Sequence, residues 1–116
     1  MDVVVEHSLN GKRIVLRTAI SWSFWPDNGI APTDELARRQ IEIAKKLGLN
    51  MLNFHRTIGA PNVLDYADEL GLLYFEEPGG NQYSASRFND GTEATAFYFG
   101  YRNEKLARMI KRDRNH

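Results

Sequence analysis

The sequence predicts an α/β fold, and three observations carry that expectation. Extended and helical patterns alternate along the chain, the segments joining them are short, and neither internal repeats nor low-complexity tracts interrupt the alternation. Short links leave room only for parallel neighbouring strands with right-handed crossovers. From Ile14 to Arg112 the pattern repeats about every 33 residues, against roughly 31 when about 250 residues build the eight units of a (β/α)8 barrel. A doubly wound sheet has units of similar length, but its G-x-G-x-x-G phosphate fingerprint between strand and helix is missing. At 116 residues the chain holds at most one ordinary domain.

Each element follows from its own residues. Val3-Val4-Val5 and Ile14-Val15-Leu16 flank Asn10-Gly11, a pair that supplies the positive φ angles of a tight hairpin turn. The second limb is expected to run on to Ile20 and into Ser21-Trp22-Ser23-Phe24-Trp25-Pro26, where Pro26 and Asp27-Asn28-Gly29 stop strand pairing. Thr33 caps a helix with Asp34 and Glu35 beside its free N–H groups and positive dipole end. Leu36, Ala37, Ile41, Ala44 and Leu47 form its apolar stripe, Glu35/Arg39 and Glu42/Lys46 stand at i,i+4 spacing, and Gly48 ends it.

Leu49 to Phe54 reads as a short strand. Asn62 is expected to cap a helix over Val63 to Leu70 that Gly71 ends, before Leu72-Leu73-Tyr74-Phe75, an apolar run typical of a strand buried on both faces. Residues 78 to about 92 are rich in Gly, Asn and Ser, a long loop of the kind compact domains keep for function. The last helix spans roughly Tyr101 to Arg112 with Leu106, Met109 and Ile110 inward, while Tyr83, Phe97, Tyr98, Phe99 and Tyr101 are expected to cover the core.

Composition excludes several function classes. Fifteen Lys and Arg balance fifteen Asp and Glu, so the chain lacks the excess cation that nucleic acid or an anionic membrane surface selects. Without Cys there is no disulfide scaffold, thiol nucleophile or usual structural zinc site, and the compartment is left open. The longest apolar runs have four residues, far short of the roughly 20 that span a bilayer, so a soluble chain with no membrane partner is expected. His7 and His116 stand in no metal-ligand spacing, and neither a metal nor a cofactor is expected.

Four stretches, in order, resemble the barrel domain of glycoside hydrolase family 2. They are Leu9-Asn10-Gly11-Lys12-Arg13-Ile14-Val15-Leu16-Arg17; Thr33-Asp34 with the helix ending Leu47-Gly48-Leu49-Asn50; Val63 through Glu77; and Lys111-Arg112-Asp113-Arg114-Asn115-His116. The last is similar to the start of a signature that the family continues with Pro, an apolar strand ending in Trp, and Asn-Glu. The resemblance implies a partial (β/α)8 TIM barrel, about its first three βα units, preceded by an N-terminal β-hairpin. It departs from the family at residues 50 to 58, where Asn53 stands in place of the usual Arg, Phe54 and His55 in place of two small residues, and Arg56, Thr57 and Ile58 in place of His-Tyr-Pro. A different sugar or linkage from that of the familiar galactosidases follows.

In that family the acid/base Glu follows the fourth strand and the nucleophilic Glu ends the seventh. The resemblance therefore implies a longer retaining glycoside hydrolase whose catalytic residues lie past His116, with the present chain silent by itself. Its partners would be a carbohydrate substrate, the remaining barrel half and accessory β-domains, with self-association through the apolar edge at Leu72 to Phe75. The rival reading is a carbohydrate-binding or interaction module that does not cleave.

Glu76 and Glu77 look like the carboxylate pair of glycoside hydrolysis. Adjacent strand residues point to opposite faces, so they cannot both flank one anomeric carbon. Glu77, by its match to the family, is the one expected at the barrel mouth, as a hydroxyl acceptor or the partner of a cation such as Arg56 or Arg17. Barrel active sites form at the C-terminal ends of the strands, which makes Asn53, His55 and Arg56 candidate sugar-binding residues, with Asn53 and His55 on one side and Arg56 opening the loop. Trp22 and Trp25 follow the first strand, and indole faces stack on the apolar C–H faces of pyranoses.

Overall fold

The computed structural model describes residues 6–25, 29–78 and 91–116. In chain order it holds β1 (His7–Leu9), β2 (Lys12–Ile14), β3 (Thr18–Ser21), α1 (Asp34–Lys46), β4 (Met51–Phe54), α2 (Pro61–Leu70), β5 (Leu73–Glu76) and α3 (Glu93–Asp113). The described residues are thus mixed α/β, with a two-stranded antiparallel sheet, a three-stranded parallel sheet ordered β3-β4-β5, and three helices. Among the described residues no helix is long and apolar enough to cross a membrane.

Asn10 and Gly11 do turn the hairpin, at φ 50° and 74°, and pair His7 with Ile14. The second limb is shorter than expected and stops at Ile14. Its continuation is claimed by Asn50, whose Nδ2 donates to the Val15 carbonyl at 2.8 Å and whose Oδ1 accepts from the Arg17 N–H at 2.7 Å. Residues 15–17 are therefore a strap, and β3 is a separate strand in the parallel sheet.

The sheet register is regular. Ser21, Phe54 and Glu76 form one row, and Ile20, Asn53 and Phe75 the row before it on the other face. The helices cover the face bearing Leu52 and Phe54. Ala37, Ile41, Phe54, Val63, Leu64 and Ala67 are wholly buried there, with Trp25, Ala44, Leu52 and Leu72 around them. The opposite face is open, with Ile20 59% and Phe75 54% exposed, so the expectation of a strand buried on both sides fails for β5.

Thr33 caps α1 by accepting from the Leu36 N–H, as expected, whereas Leu47 lies outside the stripe and is exposed. The ion pairs also differ: Arg38 bonds both Glu42 and Glu69, joining α1 to α2. Helix α2 starts at Pro61, which needs no N–H in the first turn, so Asn62 is inside the helix and donates instead to the Pro32 carbonyl and Asp34 at 3.0 Å. Gly71 ends α2 in the left-handed conformation at φ 71°.

Helix α3 begins well before Tyr101, capped by Thr92. Its apolar residues do not form the expected inner face: Phe97, Tyr101, Leu106 and Ile110 are exposed, with Phe97 and Tyr101 stacked on each other. Tyr83 and most of the Gly-rich loop lie outside the described residues.

Candidate functional site

Trp22 directly follows β3, His55 follows β4 and Glu77 follows β5, so the strand register carries all three to the same rim of the sheet. The His55 N–H donates to the Ser21 carbonyl at 2.9 Å, extending the pairing one residue past the strands. There the side chains meet. The Trp22 and His55 rings pack edge to face with centroids 4.5 Å apart, and the Arg56 guanidinium stands over the Trp22 ring at 6.0 Å. His55 Nδ1 is 3.3 Å from Glu77 Oε1, while Glu77 Oε2 accepts from the Arg56 N–H at 3.0 Å. Glu77 thus holds the start of the turn and orients the imidazole, the arrangement that fixes which ring nitrogen faces outward.

Arg56 takes φ 58°, a left-handed conformation unusual for a side-chain-bearing residue, and that reversal lets the chain leave the strand. Trp22 is 53% exposed and half its surface is open at this rim. Asn53 is on the same sheet face two residues earlier, with a buried Oδ1 that has no hydrogen-bond partner among the described residues. Trp25 is elsewhere. It is 8% exposed, joins Gly29 through a backbone bridge and packs in the core, so its ring faces are covered by protein.

Glu76 points to the opposite, helix-covered face, as alternation requires. Its side chain is 5% exposed, Oε1 accepts from the Gly59 N–H at 2.7 Å, and Arg112 Nη2 lies 3.8 Å away. Burial, with Asp113 close by, raises the Glu76 carboxyl to about 7 despite the Gly59 bond. Burial and the same two carboxylates push Tyr74 up to about 12. Arg112 also bonds Asp113, whose backbone carbonyl accepts from the Tyr74 hydroxyl at 3.3 Å.

No family model matches the chain. It is 36% identical over 109 residues to a β-galactosidase of Thermoanaerobacter pseudethanolicus, covering 93% of this chain and 14% of that protein. A Lactococcus lactis β-galactosidase is 25% identical over 108 residues, covering 93% and 11%. Among solved structures, apo β-glucuronidase 3 of Bacteroides uniformis superposes with a TM-score of 0.67 at 28% identity, covering 92% of this chain and 13% of that one. The chain is similar over nearly its whole length to a segment of these β-galactosidases and β-glucuronidases. A β-glucuronidase of Parabacteroides merdae with glycerol in its active site agrees, at TM-score 0.64 and 26% identity over 92% of this chain and 13% of that one. The segment spans about one seventh or less of the length of these relatives.

Of the six residues the sequence singles out, Trp22, His55, Arg56 and Glu77 are in mutual contact. Asn53 is beneath them and Trp25 is in the core. Sequence reasoning missed Gly59, Arg112 and Asp113, which hold the turn from its far side. The signal was present in Arg112-Asp113, part of the fourth family-like stretch, but nothing local ties residue 112 to residue 59.

Proposed function

We propose that this chain forms three consecutive staves of a (β/α)8 barrel in a glycoside hydrolase, and that Trp22, His55, Arg56 and Glu77 line a sugar subsite at the barrel mouth. The observation that carries this reading is their gathering at the C-terminal ends of three parallel strands, where barrel enzymes bind substrate. Trp22 offers the apolar ring, His55 and Arg56 offer donors, and Glu77 an acceptor, which together match the alternating C–H and hydroxyl surfaces of a pyranose. Asn53 adds an acceptor that no group among the described residues satisfies. The names of the relatives support hydrolysis of a β-glycosidic bond. The bond is broken with retention, by two Glu residues beyond this chain, through a covalent glycosyl-enzyme.

The test has two arms. Titration of the 15N-labelled chain with methyl β-D-galactopyranoside and methyl β-D-glucuronopyranoside is expected to shift signals of Trp22, His55 and Arg56, and Trp22→Ala to weaken the binding about tenfold. Incubation with the corresponding aryl glycosides is expected to release no aglycone. Binding confined to other residues, or turnover by the chain alone, overturns the reading.

A further inference from the structure

The paired carboxylates Glu76 and Glu77 are not a catalytic dyad, yet their adjacency has a use. Between them they hold both ends of the turn that carries His55 and Arg56. Glu77 works from the open face, bonding His55 Nδ1 and the Arg56 N–H, and its own N–H donates to the Thr57 carbonyl at 3.3 Å. Glu76 works from the covered face on Gly59, three residues past Arg56.

Gly59 is held on two sides. Its N–H donates to Glu76 Oε1 at 2.7 Å, and its carbonyl accepts from Arg112 Nη2 at 2.7 Å. A Cβ at this position would stand 2.9 Å from Glu76 Oε1, Leu64 Cδ2 and Phe54 Cε2, so the close approach of the backbone to the carboxylate demands glycine. Arg112 is in turn oriented by the Asp113 carboxylate, which receives both Nε and Nη2. The Tyr74 hydroxyl anchors the Asp113 carbonyl, so the end of α3 is docked on β5.

We propose that Glu76 and Arg112 are positioning residues: by gripping Gly59 at its backbone N–H and its carbonyl they fix the turn that presents His55 and Arg56 to a ligand. The inference rests on the reading of the rim as a sugar subsite, and it goes further in making that subsite depend on a helix end 53 residues beyond Gly59 in sequence. Neither residue touches the ligand. Their effect passes through one backbone residue, and substitution by the isosteric amide Glu76→Gln keeps the grip because its carbonyl still accepts from the Gly59 N–H.

The experiment compares amide hydrogen exchange in the full chain with that of Arg112→Met, Glu76→Ala and Glu76→Gln. Arg112 is 41% exposed and its replacement by Met keeps the apolar stem, so this variant is the one read if Glu76→Ala does not fold. Exchange at Arg56 and Thr57 is expected to accelerate about tenfold more than at Ile41 and Leu64, whose amides report opening of the core. Glu76→Gln is expected to leave that ratio unchanged. Uniform acceleration at all four amides, or none at Arg56 and Thr57, overturns the proposal. The methyl glycosides are then titrated into Arg112→Met, expecting about tenfold weaker binding. If the unsubstituted chain binds neither glycoside the sugar-subsite reading fails, while the exchange ratios still decide whether the clamp fixes the turn.

Discussion

The two faces of the parallel sheet carry side chains of similar apolarity in opposite circumstances. Phe54 on the covered face is wholly buried, whereas Phe75, on the neighbouring strand and the open face, is 54% exposed. The chemistry of the residue does not decide this. Helices α1 and α2 pack together over one face and supply Ala37, Ile41, Val63, Leu64 and Ala67, while among the described residues no element covers the other. The covered face therefore holds the fold together, and the open face, with its rim of Trp22, His55 and Glu77, is where the molecule has surface to offer.

The largest expected effect follows directly. Phe54→Ala removes a fully buried ring and leaves a cavity that its neighbours cannot fill, at a cost of about 3 to 5 kcal/mol, enough to unfold a domain of ordinary stability. Phe75→Ala is expected to cost less than about 1 kcal/mol, because half the ring is already in water. Urea unfolding followed by circular dichroism measures both, and equal losses would mean that the open face is covered in solution.

Coverage in solution has its own prediction. Ile20, Phe75 and the outer edges of β3 and β5, which pair with no strand among the described residues, form a surface suited to another chain. The chain is expected to show a sedimentation coefficient that rises with concentration, and Phe75→Lys to hold it monomeric across the same range. A monomer whose unfolding midpoint ignores concentration would leave the open face stable on its own.

How much of this was legible in the sequence follows from the range of each interaction. Asn10-Gly11, the Thr33 cap and the Gly71 stop are settled within a few residues, and the sequence places them correctly. The four rim residues were accessible too, since strand ends and alternation suffice to bring Trp22, His55 and Glu77 together. Long-range partners were not. The second hairpin limb ends at Ile14 because Asn50, far along the chain, takes the backbone groups of Val15 and Arg17. Trp25 resembles Trp22 in sequence context, but the bridge to Gly29 folds it back into the core. Arg38 finds Glu69 as well as Glu42 because α2 packs on α1, which no helical periodicity can reveal.

A smaller effect separates Glu76 from Glu77 by pH. Burial raises the Glu76 carboxyl from the ordinary 4.5 to about 7, so between those values the folded chain keeps a proton that the unfolded chain releases. The native state binds more protons there, and stability falls as pH rises through the window. The unfolding midpoint in urea is accordingly expected to be higher at pH 5 than at pH 7.5. Glu76→Gln is expected to flatten that slope, while Glu77→Gln leaves it in place. A slope that survives Glu76→Gln would assign the titration to another group.

The smallest expected effect concerns the helix layer that makes the covered face possible. Arg38 bonds Glu42 at 3.0 Å and Glu69 at 2.9 Å and lies over the Tyr66 ring at 5.5 Å, and both carboxylates raise the guanidinium above its ordinary value. Its charge is in water, where solvent screens such pairs and added salt weakens them further. Arg38→Met keeps much of the stem over Tyr66 and removes only the charge. A slight drop in the urea midpoint at low ionic strength is expected, vanishing in high salt. A large loss at low ionic strength that salt abolishes would show that α1 and α2 are held by this bridge and not by the apolar residues between them. The contrast between the two sheet faces would then trace to a surface ion pair instead of to Ile41, Val63 and Leu64.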